Sequence, residues 1–265
     1  MTPIQILFLA LIQGFTEFLP VSSSGHLVLA PIFFNWPNQG LSIEIALHVG
    51  TLGAVIFYLW KDICTIICGA IRLIGGQINK GAKLAGILLI ASIPVMLSGF
   101  LVKFYFLDLL RNPVIIGWAF IVFGVFLYLG DQRRSAIKKI SHITIGNAFL
   151  IGLAQACAII PGASRAGLTI TMSRLLGIER RDAARFSMLL SIPAIVGAGF
   201  LEAVEVLQKN NFDLQTNVLL AVIMSFIAAF TAIKIMMKWL EQRSFLPFVI
   251  YRIIAGCLIL LLAVN

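Results

Sequence analysis

Gln13-Gly-Phe-Thr-Glu-Phe-Leu-Pro-Val-Ser-Ser-Ser-Gly-His26 sets an amide, a carboxylate, a run of serines and an imidazole inside an otherwise apolar stretch. One ionised side chain at the centre of a membrane span costs roughly 2.5–3.5 kcal/mol on insertion scales. A polar cluster in such a setting reads as a functional site. The plain alternative is a polar surface loop between two helices, and the apolar residues crowding both flanks count against it. On a helix, Gln13 and Glu17 share a face at i, i+4. Leu19-Pro20 ends that helix, because proline disfavours helical geometry in the residue before it. Ser22, Ser23 and Ser24 then make a polar turn, Gly25 permits tight backbone, and His26 opens the returning limb. Hydroxyls and free N–H groups beside a helix N-terminus form an anion cradle. Glu17 suits a base or a metal ligand. His26 suits a general acid or base, and equally a hydrogen-bonded core histidine.

The surrounding chain has 265 residues, 60% of them hydrophobic and only 12% charged. Soluble domains carry about 25% charged residues, so this is an all-α, multi-span membrane protein forming a single membrane domain over residues 1–265. The first apolar run, Ile4 to Ile12, lacks a basic leader region and does not read as a cleavable signal peptide. The net charge of +9 falls in the loops between apolar runs. It therefore speaks for orientation and for contact with anionic lipid, not for nucleic acid. Cys64 and Cys68 share a helix face, but no histidine or second cysteine pair completes a metal site, so they read as packing thiols.

A bilayer core of about 30 Å takes about 20 helical residues. Six runs are long enough: roughly 43–60, 84–102, 113–130, 183–204, 216–236 and 246–264. Residues 3–33 are broken by Gly14, Pro20 and Gly25, and residues 145–173 by Pro161, Gly162 and Gly167. Broken apolar segments at corresponding places in two halves predict re-entrant helical hairpins in an inverted repeat. The first repeat is 1–130 and the second 143–265, each a hairpin followed by three spans. The internal echo sets Gln13…Pro20…Ser22-Ser-Ser-Gly25 beside Gln155…Pro161…Ser164-Arg-Ala-Gly167, with a shift of one residue between the prolines. The shared Ser-Ile-Pro at Ser92 and Ser191 does not keep this order.

Charge placement sets the topology. Lys61, Arg72, Lys80 and Lys83 follow the first span; Arg133, Arg134, Lys138 and Lys139 follow the third. Arg174, Arg180, Arg181 and Arg185 precede the fourth, and Lys234, Lys238 and Arg243 follow the fifth. With six alternating spans these all fall on the cytoplasmic side. The other side holds Glu202, Glu205, Asp213, Lys209 and the loop around Asp108. Both termini and the first hairpin are then external, and the second hairpin enters from the cytoplasm.

The second broken segment, Pro161-Gly-Ala-Ser-Arg-Ala-Gly-Leu-Thr169, adds a cation. Arginine suits bidentate phosphate clamping, and Arg165 is flanked by Ser164 and Thr169. The plain alternative for Arg165 is a residue that snorkels to the interface. If the hairpins meet near the middle, Glu17, Ser23, His26 and Arg165 converge on a set suited to phosphoryl transfer. Around them Gln13, Ser22, Ser24, Gly25, Gly162, Ser164 and Thr169 are candidate substrate contacts. His48 and Glu44, at the outer end of the first span, border the site or simply finish a helix. Removal of a buried Arg165 is expected to spare stability, since it relieves desolvation.

Gln13–His26 and Pro161-Gly-Ala-Ser-Arg165 resemble the two signatures of the bacterial undecaprenyl-diphosphate phosphatase family, also called the bacitracin-resistance type. The resemblance runs through Ala46-Leu-His-Val-Gly-Thr51 and nearly the whole chain. It implies hydrolysis of undecaprenyl diphosphate to the monophosphate carrier lipid and phosphate in the bacterial plasma (inner) membrane. That reaction recycles the carrier for peptidoglycan and other envelope polymers and confers bacitracin resistance. The resemblance also implies a divalent cation, Mg²⁺ or Ca²⁺, with Glu17 as a ligand, and functional roles for Glu17, Ser23, His26 and Arg165. Two positions depart from the pattern. Gln13 stands at a place that takes Glu or Gln, which leaves one carboxylate in the turn, and Ala166 stands where Ser is common.

A second class of membrane lipid phosphatase would require His at Thr171, so that pattern fails. A transporter or flippase for the carrier lipid uses the same inverted-repeat architecture and is the competing function. A scaffold would not need the buried cluster.

Overall fold

Each broken apolar segment folds as two short helices because its prolines and glycines interrupt the run before it reaches spanning length. The structure, a computed structural model, describes residues 2–37, 39–105, 112–132, 136–208 and 216–264. Asp108, Arg133, Arg134, Lys209 and Asp213 lie outside these residues, as do the side chains of Glu202 and Glu205.

Helix α1 (Pro3–Thr16) opens on a capping box, Thr2 with Gln5, and carries proline at its first position. It stops three residues before Leu19, with Glu17 as its cap, and a tight turn leads to α2 (Ser23–Phe34). Then come α3 (Leu41–Tyr58), α4 (Trp60–Ile74), α5 (Lys80–Tyr105) and α6 (Pro113–Asp131). The second half has α7 (Ile145–Ala156), α8 (Arg165–Leu175), α9 (Arg180–Gln208), α10 (Thr216–Trp239) and α11 (Leu246–Val264). Six of these, α3, α5, α6, α9, α10 and α11, are long and apolar enough to cross a membrane. They match the six expected runs to within a few residues at each end.

The basic segment after the first span is a helix, α4, and not the expected loop. Its apolar residues recur at helical spacing between charges, which makes it too short and too polar to span but well suited to an amphipathic helix. Trp60, Ile67 and Ile71 are exposed on it, and Gly69 lets it abut Gly81 at the start of α5.

Both hairpins turn back on themselves. The feet of α7 and α8 are joined by backbone bonds, Lys138 N–H to Gly177 O at 3.0 Å and Glu179 N–H to Lys138 O at 2.9 Å. The start of α1 and the end of α2 meet through Phe8, whose ring centroid lies 5.5 Å from those of Phe34 and Trp36. At 1.5 Å per residue, α8 rises about 16 Å, half of a bilayer core of about 30 Å. Its tip therefore lies near mid-depth.

The charged segments meet at one end of the bundle. Asp131, closing α6, accepts from Arg180 Nε at 2.6 Å and from Phe245 N–H at 2.9 Å. Arg185 pairs with Asp62, Arg181 with Glu241, and Ile140 N–H with Asp182. The α7–α8 feet belong to this end. The α1–α2 feet belong to the opposite one, since α3 must run from them to reach Asp62. The hairpins thus enter from opposite ends. The helix α1 packs on α10 and α3, while α7 packs on α5 and α8 on α6 and α9.

Candidate active site

The two hairpin tips touch. Gly25 and Gly162 make this possible: a Cβ on Gly25 would lie 3.2 Å from the Gly162 Cα, and one on Gly162 only 2.7 Å from Ile116 O. Gly162 also has φ +94°, a left-handed conformation that glycine adopts without strain.

The turn entering each returning helix is built alike. Ser22 and Ser164 both have positive φ, 73° and 70°. Each caps its helix by accepting from a glycine amide, Gly25 N–H at 3.4 Å and Gly167 N–H at 3.1 Å. A non-glycine residue held there costs about 1–3 kcal/mol and persists only where its surroundings enforce it. The enforcing group is Arg252, fully buried in α11. It donates to Pro20 O in the first tip, to Gly162 O and Ala163 O in the second, and to Ala119 O and Phe120 O of α6, at 2.8–3.3 Å.

Between the tips lies a cavity of about 250 Å³, room for a diphosphate-sized group at roughly 30 Å³ per displaced water. Glu17, Ser23, Ser24, His48, Ser164 and Arg165 supply its polar wall, and Val95, Ile159 and Ile195 are among its apolar residues. Two helix N-termini, those of α2 and α8, open onto it. The first amides of each have no intrahelical partner, and each terminus carries about half a positive charge.

The Glu17 carboxylate organises this wall. Oε2 accepts from Ser23 Oγ at 2.6 Å and from Gln13 Nε2 at 3.0 Å, and Oε1 accepts from Arg165 Nη2 at 3.1 Å. Arg165 Nη1 donates to Ser187 O at 3.4 Å, so α9 steadies the guanidinium. The Arg165–Glu17 ion pair changes one expectation. Removing Arg165 would strand a buried carboxylate and would not merely relieve desolvation.

Several expected substrate contacts stand behind the wall instead. Gln13 is fully buried and holds Glu17. Ser22 spends its hydroxyl on the cap, and Gly25 and Gly162 form the contact between tips. Thr169 gives its one hydroxyl hydrogen to the carbonyls of its own helix and shares a 2.7 Å hydrogen bond with Ser187 Oγ. His26 does not reach Ser23: Nδ1 lies 2.6 Å from Ser22 O and Nε2 2.6 Å from Tyr251 OH, with the ring stacked on Tyr251. Glu44 does not line the cavity and binds Gln39 at 2.7 Å. His48 does line it, one helical turn further on. Arg252 and Ser187 were not foreseen. A lone arginine inside the 246–264 apolar run is itself a signal of an important site, whereas Ser187 carried none.

A divalent cation can be tested against these donors. Among the described residues no group of three or more His, Cys, Asp and Glu side chains gathers. An ion of the Mg²⁺ type needs no such cage, because it is usually held by one or two carboxylates, waters and the substrate's own phosphates. The Glu17 carboxylate and the buried Gln13 Oε1, which has no hydrogen-bond partner, are oxygen donors of the right kind.

Residues 6–258 match the family described as bacitracin resistance protein BacA. The chain is similar to the undecaprenyl-diphosphatase of Roseobacter denitrificans, 44% identical over 267 residues that cover 100% of both chains. The protein of that name from Jannaschia sp. is 45% identical over 265 residues, 99% of each chain. That from Pelotomaculum thermopropionicum is 41% identical over 99% of this chain and 97% of the relative.

Proposed function

Given that the chain belongs to the bacitracin resistance protein BacA family, we infer that it is an integral-membrane phosphohydrolase that cleaves undecaprenyl diphosphate to undecaprenyl phosphate and inorganic phosphate. The observation that carries this reading is the cavity between the tips, where two helix N-termini and the Arg165 guanidinium face a serine hydroxyl bonded to a carboxylate. The amides and the guanidinium bind the diphosphate oxygens. Ser23 Oγ attacks the terminal phosphorus, its proton passes to Glu17 Oε2, and the bond to the lipid phosphate breaks. Arg165 stabilises charge on the transferring phosphoryl group. Attack by His26 is disfavoured, since both its ring nitrogens are engaged away from the cavity. A divalent cation, Mg²⁺ or Ca²⁺, would be held by the Glu17 carboxylate together with the substrate's phosphates, with Gln13 Oε1 as an oxygen donor behind it, and would supply further charge neutralisation.

The protein acts in the bacterial plasma membrane, with its basic end cytoplasmic and both termini external. Its substrate is a polyprenyl diphosphate, reached from the bilayer. A flippase reading is weaker, because translocation needs no serine hydroxyl bonded to a carboxylate. The deciding measurement is phosphate release by the purified protein in detergent, where no second compartment exists. Release that depends on Ser23 supports hydrolysis; absence of release from folded protein with Mg²⁺ overturns it.

A further inference from the structure

The phosphatase reading leaves one proton without a destination. After the first half-reaction Glu17 holds the proton taken from Ser23. The departing lipid phosphate does not collect it, because a phosphate monoester has a second pKa of about 6 and leaves as an anion. Glu17 must return that proton to Ser23 Oγ when the phosphoserine is cleaved, so it cannot also accept a proton from the attacking water. A second acceptor is needed in the same cavity. Of the lining residues, Glu17 and His48 alone carry a Brønsted base, a carboxylate and an imidazole; the others are serines, an arginine and apolar side chains.

His48 is set up for this. It projects from α3, a different element from either hairpin. Its Nδ1 lies 2.9 Å from Glu44 O, one turn back on the same helix. A carbonyl oxygen only accepts, so Nδ1 carries the hydrogen and Nε2 keeps its lone pair. Among the described residues Nε2 has no hydrogen-bond partner. The ring therefore presents a basic nitrogen to the cavity in a fixed tautomer, a backbone-oriented arrangement common to catalytic imidazoles. The sequence makes the need sharper. With Gln at position 13 there is no second carboxylate beside Glu17, and Gln13 is buried behind it as a donor.

We propose that His48 is a catalytic residue for the second half-reaction, the base that activates water against phosphoserine 23. This rests on the phosphatase reading above. The water oxygen bonds to phosphorus as the Ser23 Oγ–P bond breaks. The water proton goes to His48 Nε2, the Glu17 proton returns to Ser23 Oγ, and inorganic phosphate leaves.

The test is rapid-quench kinetics on the purified full-length protein in detergent, with farnesyl diphosphate as probe. Monophosphate lipid and inorganic phosphate are measured separately, and the intact protein is weighed by mass spectrometry. General-base contributions are typically 10²–10⁴-fold. His48→Ala and His48→Gln should therefore release about one equivalent of monophosphate lipid per protein at near the normal rate, then release phosphate at least about 100-fold more slowly. Phosphoserine at position 23 should accumulate. If His48→Gln melts as the wild type does yet releases both products in step at the normal rate, the proposal is wrong. Equal slowing of both products without phosphoserine also overturns it, since it would make His48 a binding or positioning group. A wild-type protein that releases no phosphate removes the phosphatase reading first, before any variant is compared. Turnover by Ser23→Ala removes the covalent step and this proposal with it.

Discussion

At the residue scale the site turns on a buried ion pair whose halves come from opposite hairpins. Glu17 and Arg165 are 3.1 Å apart, with side chains 6% and 15% exposed. Breaking a buried pair by removing one partner typically costs about 3–5 kcal/mol, because the other charge is left uncompensated. Arg165→Ala should therefore lower the melting temperature in detergent as well as lowering turnover by about three orders of magnitude, by analogy with arginines that stabilise transferring phosphoryl groups. Adding Glu17→Gln to that variant should recover most of the lost melting temperature and none of the activity. Near-normal turnover in Arg165→Ala would sink the clamp role, and failure of the double variant to regain stability would show that the pair does not hold the tips. Arg165→Lys should recover little activity, as an ammonium cannot bridge two oxygens in one plane. At position 13 the orphaned Gln13 Oε1 predicts that Gln13→Glu retains turnover with Mg²⁺ and becomes more sensitive to chelator. The change sets a second carboxylate against Glu17, and a cation offsets that repulsion. Unchanged chelator sensitivity would remove Gln13 from the cation's surroundings. The polar residues of the two tips were legible because charge in an apolar run is expensive. Which of them face the cavity was not, since that depends on turn geometry: Ser22 and Ser23 are neighbours, yet one caps a helix and the other meets Glu17.

At the element scale each hairpin depends on a helix that sequence alone does not connect to it. Arg252 joins both tips to α6 through five backbone carbonyls. Three of those carbonyls, Pro20 O, Gly162 O and Ala163 O, sit in the hairpin turns, outside any helical ladder. Unmet backbone groups there cost several kcal/mol each. Arg252→Lys keeps the charge but replaces a fork of five donors with three on one nitrogen. It should lower both melting temperature and turnover, while Arg243→Lys, in a connecting segment at the charged end, should change neither. A wild-type melting curve for Arg252→Lys would show that the tips hold without the fork. The six spans were readable because length and hydropathy fix them. The amphipathic α4 was not, because its charges look like those of a loop unless the apolar spacing is weighed as well. The echo between the hairpins was read with a shift at the prolines. In the structure Gln13 precedes Ser22 by the same interval as Gln155 precedes Ser164, and Gly25 and Gly167 follow those caps alike. Only the prolines fall out of step, because a turn tolerates proline at more than one place while a helix cap fixes its own register.

At the scale of the whole molecule the two halves keep one architecture and divide the chemistry. Ser23 and Arg165 occupy the same place after their caps, as do Glu17 and Ile159 after their buried glutamines, and all four line one cavity. One hairpin therefore brings nucleophile and carboxylate, the other a cation and an apolar wall. This division depends on the hairpins entering from opposite ends of the bundle, and labelling from each side of the membrane tests it. The charged end of the bundle gathers Asp62, Asp131, Arg180, Arg181, Arg185 and Glu241, and the topology proposed above sets this end, with its basic neighbouring loops, in the cytoplasm. From Phe245 at that end, the 19 residues of α11 rise about 28 Å, enough to carry the C-terminus to the other face. A tag in the 131–142 segment should be cytoplasmic and a tag at the C-terminus external. Single cysteines give a finer test in a background lacking the native four. Lys138→Cys, at the foot of the second hairpin, should react with an impermeant thiol reagent only from the cytoplasmic side. Trp36→Cys, at the foot of the first, should react only from outside. If both are labelled from the same side, the hairpins share a face. The helix N-termini of α2 and α8 could not then converge on one diphosphate at mid-depth, and the proposed site would fall with the topology.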